Sequence, residues 1–152
     1  MKEFKAQNTG NRIVINCAPT KDVTRLKQVI FNEIKKSPIG IKLINGEGSF
    51  FDKEIDFTGV LDFIKNTLIG IDTSEDFEEA IFNCLQYCTY KSTYKIDRDL
   101  FDNEQIPEAR EDYYEIIYLC VEENLRPFIK SLISVWQTHI KNNTLTQLSS
   151  IM

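Results

Sequence analysis

The sequence predicts a mainly α protein, a single-domain bundle of about five helices carrying a short N-terminal β-hairpin. Three observations lead there. Apolar residues recur every three or four positions in several separate stretches, the signature of helices with one buried stripe. Only the first 18 residues show strand-like alternation joined by turn chemistry. At 152 residues with 42% hydrophobic and 27% charged side chains, the chain is long enough to bury a core and has an ordinary globular composition, which argues against wholesale disorder.

The central element is the stretch Ser74–Tyr90. Phe77, Ala80, Ile81, Cys84, Leu85 and Cys88 fall on one helical stripe. Thr73 and Ser74 can cap its start, and acids fill the first turn, where the helix dipole favours them. It runs into CTYKSTYK, a short polar stretch with two tyrosines, and a loop follows Tyr90.

From the N-terminus, Glu3–Gln7 and Arg12–Cys17 read as two strands. The Asn8-Thr-Gly-Asn11 run between them tolerates positive φ, so the pair should form a hairpin. Ile13, Ile15 and Cys17 alternate with Val14 and Asn16, as in a strand with one buried face. Thr20 or Asp22 then caps a helix over Val23–Lys36, with Val23, Leu26, Val29, Ile30 and Ile34 inward. Ser37-Pro38 stops it. Residues 39–58 are punctuated by Gly40, Gly46 and Gly48 and read mostly as loop. Val60–Ile69 reads as a helix capped by Thr58, closed by Gly70 and turned tightly into the Ser74 helix as an antiparallel hairpin.

Beyond the loop, Asp97 caps a short segment Arg98–Asp102. Pro107 opens a helix reaching about Glu123, with Tyr113, Ile116, Ile117, Cys120 and Val121 inward. Asn124-Leu-Arg-Pro127 should kink or restart it, because an interior proline costs about 3 kcal/mol. A last helix runs to Ile140 on a stripe of Phe128, Ile129, Leu132, Ile133 and Trp136. The domain is therefore read as 1–140, hairpin 1–18 included, and 141–152 as a frayed tail.

Charge and composition exclude some functions. A net charge of −5 disfavours a dedicated nucleic-acid binder, which carries a basic surface. The longest strongly apolar run, Ile116–Val121, falls far short of the roughly 20 residues that span a bilayer. The N-terminal MKEFKAQNTGNR has no apolar signal core. A cytoplasmic protein with free thiols is the expectation.

The chemistry-bearing residues are weighed in turn. Cys84 and Cys88 lie one helical turn apart, and Cys17 and Cys120 would complete four ligands. No CxxC pair exists, however, and buried cysteine packs as a small hydrophobe, so core packing is preferred to zinc. His139 is the sole histidine and suits the end of a helix rather than a catalytic arrangement. Gly46-Glu-Gly48 begins like a phosphate loop, but Phe51 stands where a third glycine belongs. No catalytic residue, cofactor site or metal site is assigned.

Between Asp97 and Glu123, ten acids face two arginines, leaving eight net negative charges. A solvated helix face explains this, and so would docking of a basic partner. Tyr87, Tyr90, Tyr94, Tyr113, Tyr114 and Tyr118 crowd the same half of the chain, and tyrosine suits interfaces. Partner contacts are accordingly assigned to Tyr90, Tyr94, Tyr113, Tyr114, Phe128 and Trp136.

Three segments together carry a resemblance: INCAPTKDVTRLKQVIFNEIKK, then FIKNTLIGIDTSEDFEEAIFNCLQYCTY with KIDRDLF, then EDYYEIIYLCVEENLRPFIKSLIS. Their order is similar to that of small phage tail assembly chaperones of Gram-positive-type tailed phages and prophages, over roughly Ile13–Ser134. The resemblance implies a non-enzymatic assembly factor in the host cytoplasm, absent from the mature virion. It would bind the tape-measure protein as client, help recruit tail-tube protein and be capable of self-association. A structural virion protein, such as a tail-completion or connector subunit, is the alternative.

Overall fold

The computed structural model describes residues 1–35, 74–128, 130 and 131. The expected loop at 39–58, the helix Val60–Ile69, the helix end to Ile140 with Trp136, and the tail all lie outside them.

Among the described residues the chain is mixed α/β, not mainly α. Strand β1 (Lys2–Lys5) pairs antiparallel with β2 (Arg12–Ile15), Phe4 opposite Ile13. The N–H of Ala6 bonds the carbonyl of Asn11, and Gly10 closes the turn at φ +74°, a conformation cheap only for glycine. This hairpin is half of a larger sheet. β3 (Thr89–Tyr90) adds to β2 with Ile13 opposite Tyr90, and β4 (Tyr94–Lys95) folds back on β3, giving the order β1-β2-β3-β4.

The second hairpin corrects the mainly α expectation, and its turn shows why it was hidden. The Thr93 N–H bonds the Tyr90 carbonyl at 3.3 Å, with Lys91 at φ 54° and Ser92 at φ 62° between them. Two successive left-handed residues make the tight hairpin turn that asparagine and glycine normally signal. Here lysine and serine hold it. The Arg12 guanidinium donates to Ser92 Oγ at 3.0 Å, and Lys91 pairs with Glu108.

Helix α1 (Thr20–Lys35) follows β2 and packs against α2 (Glu75–Leu85). Ser74 caps α2, its hydroxyl accepting from the Phe77 N–H. The helix ends at Leu85, short of the expected Tyr90. The Cys88 N–H turns back to the Leu85 carbonyl, while the Cys88 carbonyl accepts from Ile96 and so begins the second hairpin. Cys88 is buried as expected, but by the sheet's lead-in rather than by a helix.

Asp97 caps α3 (Arg98–Asp102), its carboxylate accepting from the Leu100 N–H at 3.0 Å. Pro107 precedes α4 (Glu108–Glu111). The chain then breaks at Asp112 and resumes as α5, residues 113–128. The helix does not restart at Asn124–Pro127 but runs on through the proline. Pro127 lacks the N–H that would bond the Glu123 carbonyl. That carbonyl is met instead by the Cys17 thiol at 3.8 Å, from the β2–α1 connection.

The core lies between one face of the sheet and the helices. Ile13, Ile15 and Tyr90 meet Leu26 and Ile30 of α1, Phe77, Ile81 and Leu85 of α2, and Ile116, Ile117, Cys120 and Leu125 of α5. Each fully buried aliphatic or aromatic side chain contributes about 1.5–3 kcal/mol. The opposite sheet face aligns Glu3, Val14, Thr89 and Lys95 in register.

Candidate interaction surface

The residues that carry polar chemistry gather where the N-terminal hairpin meets the start of α5. Asp112 is fully buried there. Its Oδ2 accepts two hydroxyls, from Thr9 at 2.5 Å and from Tyr90 at 2.5 Å. The Asn11 amide also donates to the Tyr90 oxygen at 2.9 Å. Burial, and then the Asp112 bond, push the Tyr90 phenol up to about 12. Tyr90 therefore stays protonated and acts as a donor to the carboxylate. Among the described residues the second Asp112 oxygen, Oδ1, is buried without a hydrogen-bond partner.

Around this point the hairpin loop is tied down by backbone as well as side chains. The Gln7 N–H donates to Glu115, at 2.9 Å to Oε2, and the Asn8 amide donates to the Glu111 carbonyl at 3.1 Å. Several acids of the Asp97–Glu123 stretch are thus fasteners. Glu108 pairs with Lys91, and Glu123 with Lys2 at 3.1 Å. Glu122 and Arg126 pair at 2.6 Å along α5. The lysine beside Glu108 holds its carboxyl below the usual range. Exposed Glu104 and Glu111 form no ion pair among the described residues.

An aromatic row with the buried Phe101 ring near its middle reaches the surface next to this latch. Phe82 meets Phe101 edge-on at 6.1 Å. Phe101 meets Tyr113 at 4.9 Å and 88°, and Tyr113 meets Tyr114 at 5.2 Å and 79°. Edge-to-face pairs at these separations are the favoured aromatic geometry. Phe101 is buried, whereas Tyr114 is 52% exposed. At the Phe82 end, which is only partly buried, the exposed Arg98 guanidinium lies 5.6 Å over the ring and pairs with Glu78 at 3.1 Å.

The residues assigned to partner contact are therefore not one patch. Tyr113 and Tyr114 belong to the aromatic row. Tyr94 is 40% exposed on β4. Tyr90 is wholly internal and presents no surface. Phe128 packs against the core, with the Lys27 ammonium 5.4 Å over its ring. Trp136 lies outside the described residues. Sequence reasoning missed Asp112, which it counted among solvated acids. The signal was there: Ala109, Asp112 and Ile116 keep the spacing of an inward stripe.

Three of the four cysteines pack inside. Cys84, Cys88 and Cys120 are buried and Cys17 is exposed. Burial, and then the Asp22 charge, push the Cys84 thiol up to about 12. The Cys120 thiol is raised by its hydrogen bond with Cys88 and by burial. Among the described residues no group of three histidine, cysteine or acidic side chains is placed to hold a metal ion, and no helix is long and apolar enough to cross a membrane.

No protein-family model, no curated protein and no solved structure matches this chain.

Proposed function

We propose that this chain is a non-enzymatic protein-binding factor, and that its task is tail assembly in a tailed phage or prophage. In that role it acts in the host cytoplasm on the tape-measure protein, helps recruit tail-tube subunits and is left out of the finished virion. The resemblance over Ile13–Ser134 supplies the assembly role. The single structural observation that supports binding is Tyr114, half-exposed yet held edge-on by a ring row rooted in the core. A rigid aromatic presented to solvent gives contact area at little entropy cost, which suits recognition.

Coexpression tests the reading. A tape-measure fragment produced with this chain should become more soluble and copurify with it. A fragment equally insoluble with and without the chain, and no complex, overturns the chaperone role. Mass spectrometry of purified particles separates the alternative: a tail-completion or connector subunit is found in them, and a chaperone is not.

A further inference from the structure

We infer that the outer edge of β1 pairs antiparallel with the same edge of a second copy of this chain, with Glu3 of each copy opposite Lys5 of the other. The inference goes beyond the client-binding role above, and neither depends on the other.

The first argument is where the main chain of β1 points. In an antiparallel pair, residues that exchange hydrogen bonds alternate with residues whose N–H and C=O face away from the partner strand. The Ala6 N–H bonds the Asn11 carbonyl, which makes Ala6 a bonded position. By the same alternation, Phe4 opposite Ile13 and Lys2 opposite Ile15 are bonded positions. Arg12 gives the same phase. Its carbonyl accepts from the Lys91 N–H on the β3 side, so Lys5, opposite Arg12, is a non-bonded position. Glu3 and Lys5 therefore turn their N–H and C=O groups to the outer side of β1. That strand is an edge of the sheet, and among the described residues these outward groups meet no partner. The next outward N–H, that of Gln7, is closed by Glu115. The open edge is thus confined to Glu3 and Lys5, both exposed.

The second argument is the charge along that edge. Lys5 stands opposite Arg12 in its own hairpin and forms no ion pair among the described residues. Glu3 pairs with Arg12 through one carboxylate oxygen and keeps the other for a further cation. Opposite charges facing each other across a strand pair stabilise it, and like charges destabilise it. When two copies pair antiparallel, the outward positions meet as Glu3 on Glu3, Lys5 on Lys5, or Glu3 on Lys5. Only the last joins opposite charges, and it repeats on each side of the two-fold axis. Each such pair exchanges both main-chain hydrogen bonds. The axis then passes beside Phe4, which meets Phe4 of the second copy as a non-bonded pair, the closer kind and one suited to aromatic contact. Edge charges ordinarily turn away an unrelated strand. Here their order makes the edge complementary to itself, as a two-fold contact requires.

Sedimentation of the full chain tests this. The average mass should rise towards that of a dimer between about 10 and 500 μM, because so short a strand pair makes a weak interface. Lys5→Pro removes an outward N–H and spares the bonds to β2. It should remain monomeric at the highest concentration, with a urea midpoint close to the parent's. Glu3→Lys should lose the rise, and Glu3→Lys/Lys5→Glu should recover it. The register is read in a Cys17→Ser background, where Glu3→Cys and Lys5→Cys chains are mixed with oxidised glutathione. Bonded residues directly opposite each other lie about 5.5 Å apart between α-carbons, within disulfide reach. The mixture should cross-link several-fold faster than either chain alone. A chain that stays monomeric and does not cross-link overturns the inference. So does a dimer that survives Lys5→Pro, or cross-linking as fast in one chain alone as in the mixture, since each places the self-contact elsewhere. Coexpression with the client is a separate readout and judges only the broader reading.

Discussion

The phenol of Tyr90 and the carboxylate of Asp112 meet at 2.5 Å, joining the second hairpin to the junction of α4 and α5. Thr9 from the first hairpin binds the same oxygen. Three parts of the chain separated by about 80 and 20 residues therefore close on one buried atom. Tyr90→Phe keeps the ring in place and removes one donor from a buried carboxylate. It should destabilise the fold by about 1–3 kcal/mol in urea unfolding. A change below about 0.5 kcal/mol would mean that the carboxylate is not relying on this bond.

The same contact gives a pH dependence. Tyr90 and Cys84 are both pushed up to about 12 by burial, while in the unfolded chain they ionise near 10 and near 9. Both groups are neutral when protonated, so between those values the unfolded state has lost protons that the folded state keeps. Their contribution to stability is fully present below about pH 9 and is lost as pH rises towards 12, at up to about 1.4 kcal/mol per pH unit per group. Tyr90→Phe should flatten the fall above pH 10, whereas Cys84→Ala should flatten it from pH 9. Unfolding free energies measured from pH 8 to 11 decide this, and parallel curves for parent and variants would refute it.

Asn124 holds the other end of α5 to the sheet. Its Oδ1 accepts from the Ala18 N–H at 2.8 Å, and its amide donates to the Cys120 carbonyl at 2.8 Å. The side chain is buried. Asn124→Ala leaves the Ala18 N–H unsatisfied and opens a small cavity, so a loss of about 2 kcal/mol is expected. Asn124→Asp keeps the acceptor but puts a charge in the core and should cost at least as much. Chemical denaturation of both variants checks the order.

The sequence made local periodicity legible and left cross-chain polarity hidden. The inward positions Leu26, Ile30, Phe77, Ile81, Ile116 and Cys120 followed from three- and four-residue spacing alone, because packing one helical stripe needs no knowledge of the partner. The caps at Ser74 and Asp97 followed from residue type and position. The second hairpin did not, because strands of two residues are too short for a period to register and its turn lacks asparagine and glycine. The helix through Pro127 was equally hidden. Its proline is accommodated by Cys17, more than 100 residues away, and no window of sequence contains both. The surface was half legible. Tyrosines and acids in one stretch pointed to contact chemistry, but only the fold separates exposed Tyr114 from buried Tyr90, and exposed Glu111 from buried Asp112.

The turn at Lys91–Ser92 offers a gain instead of a loss. Non-glycine residues in the left-handed region carry a penalty of order 1 kcal/mol. Ser92→Gly relieves it at φ 62° and gives up one exposed hydrogen bond from Arg12. The relief should outweigh that bond, because an exposed bond competes with water, and the variant should gain about 0.5 kcal/mol. Gly10→Ala should go the other way by about 1 kcal/mol. No atom lies within 4 Å of the added carbon, so the cost comes from φ +74° alone. Thermal melts of the two variants should move in opposite directions, and a fall for both would mean that the Arg12–Ser92 bond matters more than the backbone conformation.

The thiols give the most direct check on the packing of the interior. Cys17 is exposed, whereas Cys84, Cys88 and Cys120 are at most 1% exposed. Burial keeps the reagent from all three, and in Cys84 and Cys120 the raised pKa adds to that, since the thiolate is the nucleophile; Cys88, lowered by its hydrogen bond with Cys120, is protected by burial alone. The native protein at pH 8 should therefore release one fast equivalent with an aromatic disulfide reagent. The other three should react only as the chain unfolds, at a rate that follows added urea. Cys17→Ser should abolish the fast equivalent and leave the slow phase intact. It also removes the weak thiol bond to the Glu123 carbonyl, so a small acceleration of the slow phase is expected beside Pro127. Four fast equivalents would show that α2, α5 and the sheet do not close over the sulfurs. Four protected thiols accompanied by one equivalent of zinc would replace the packed core described here with a metal centre.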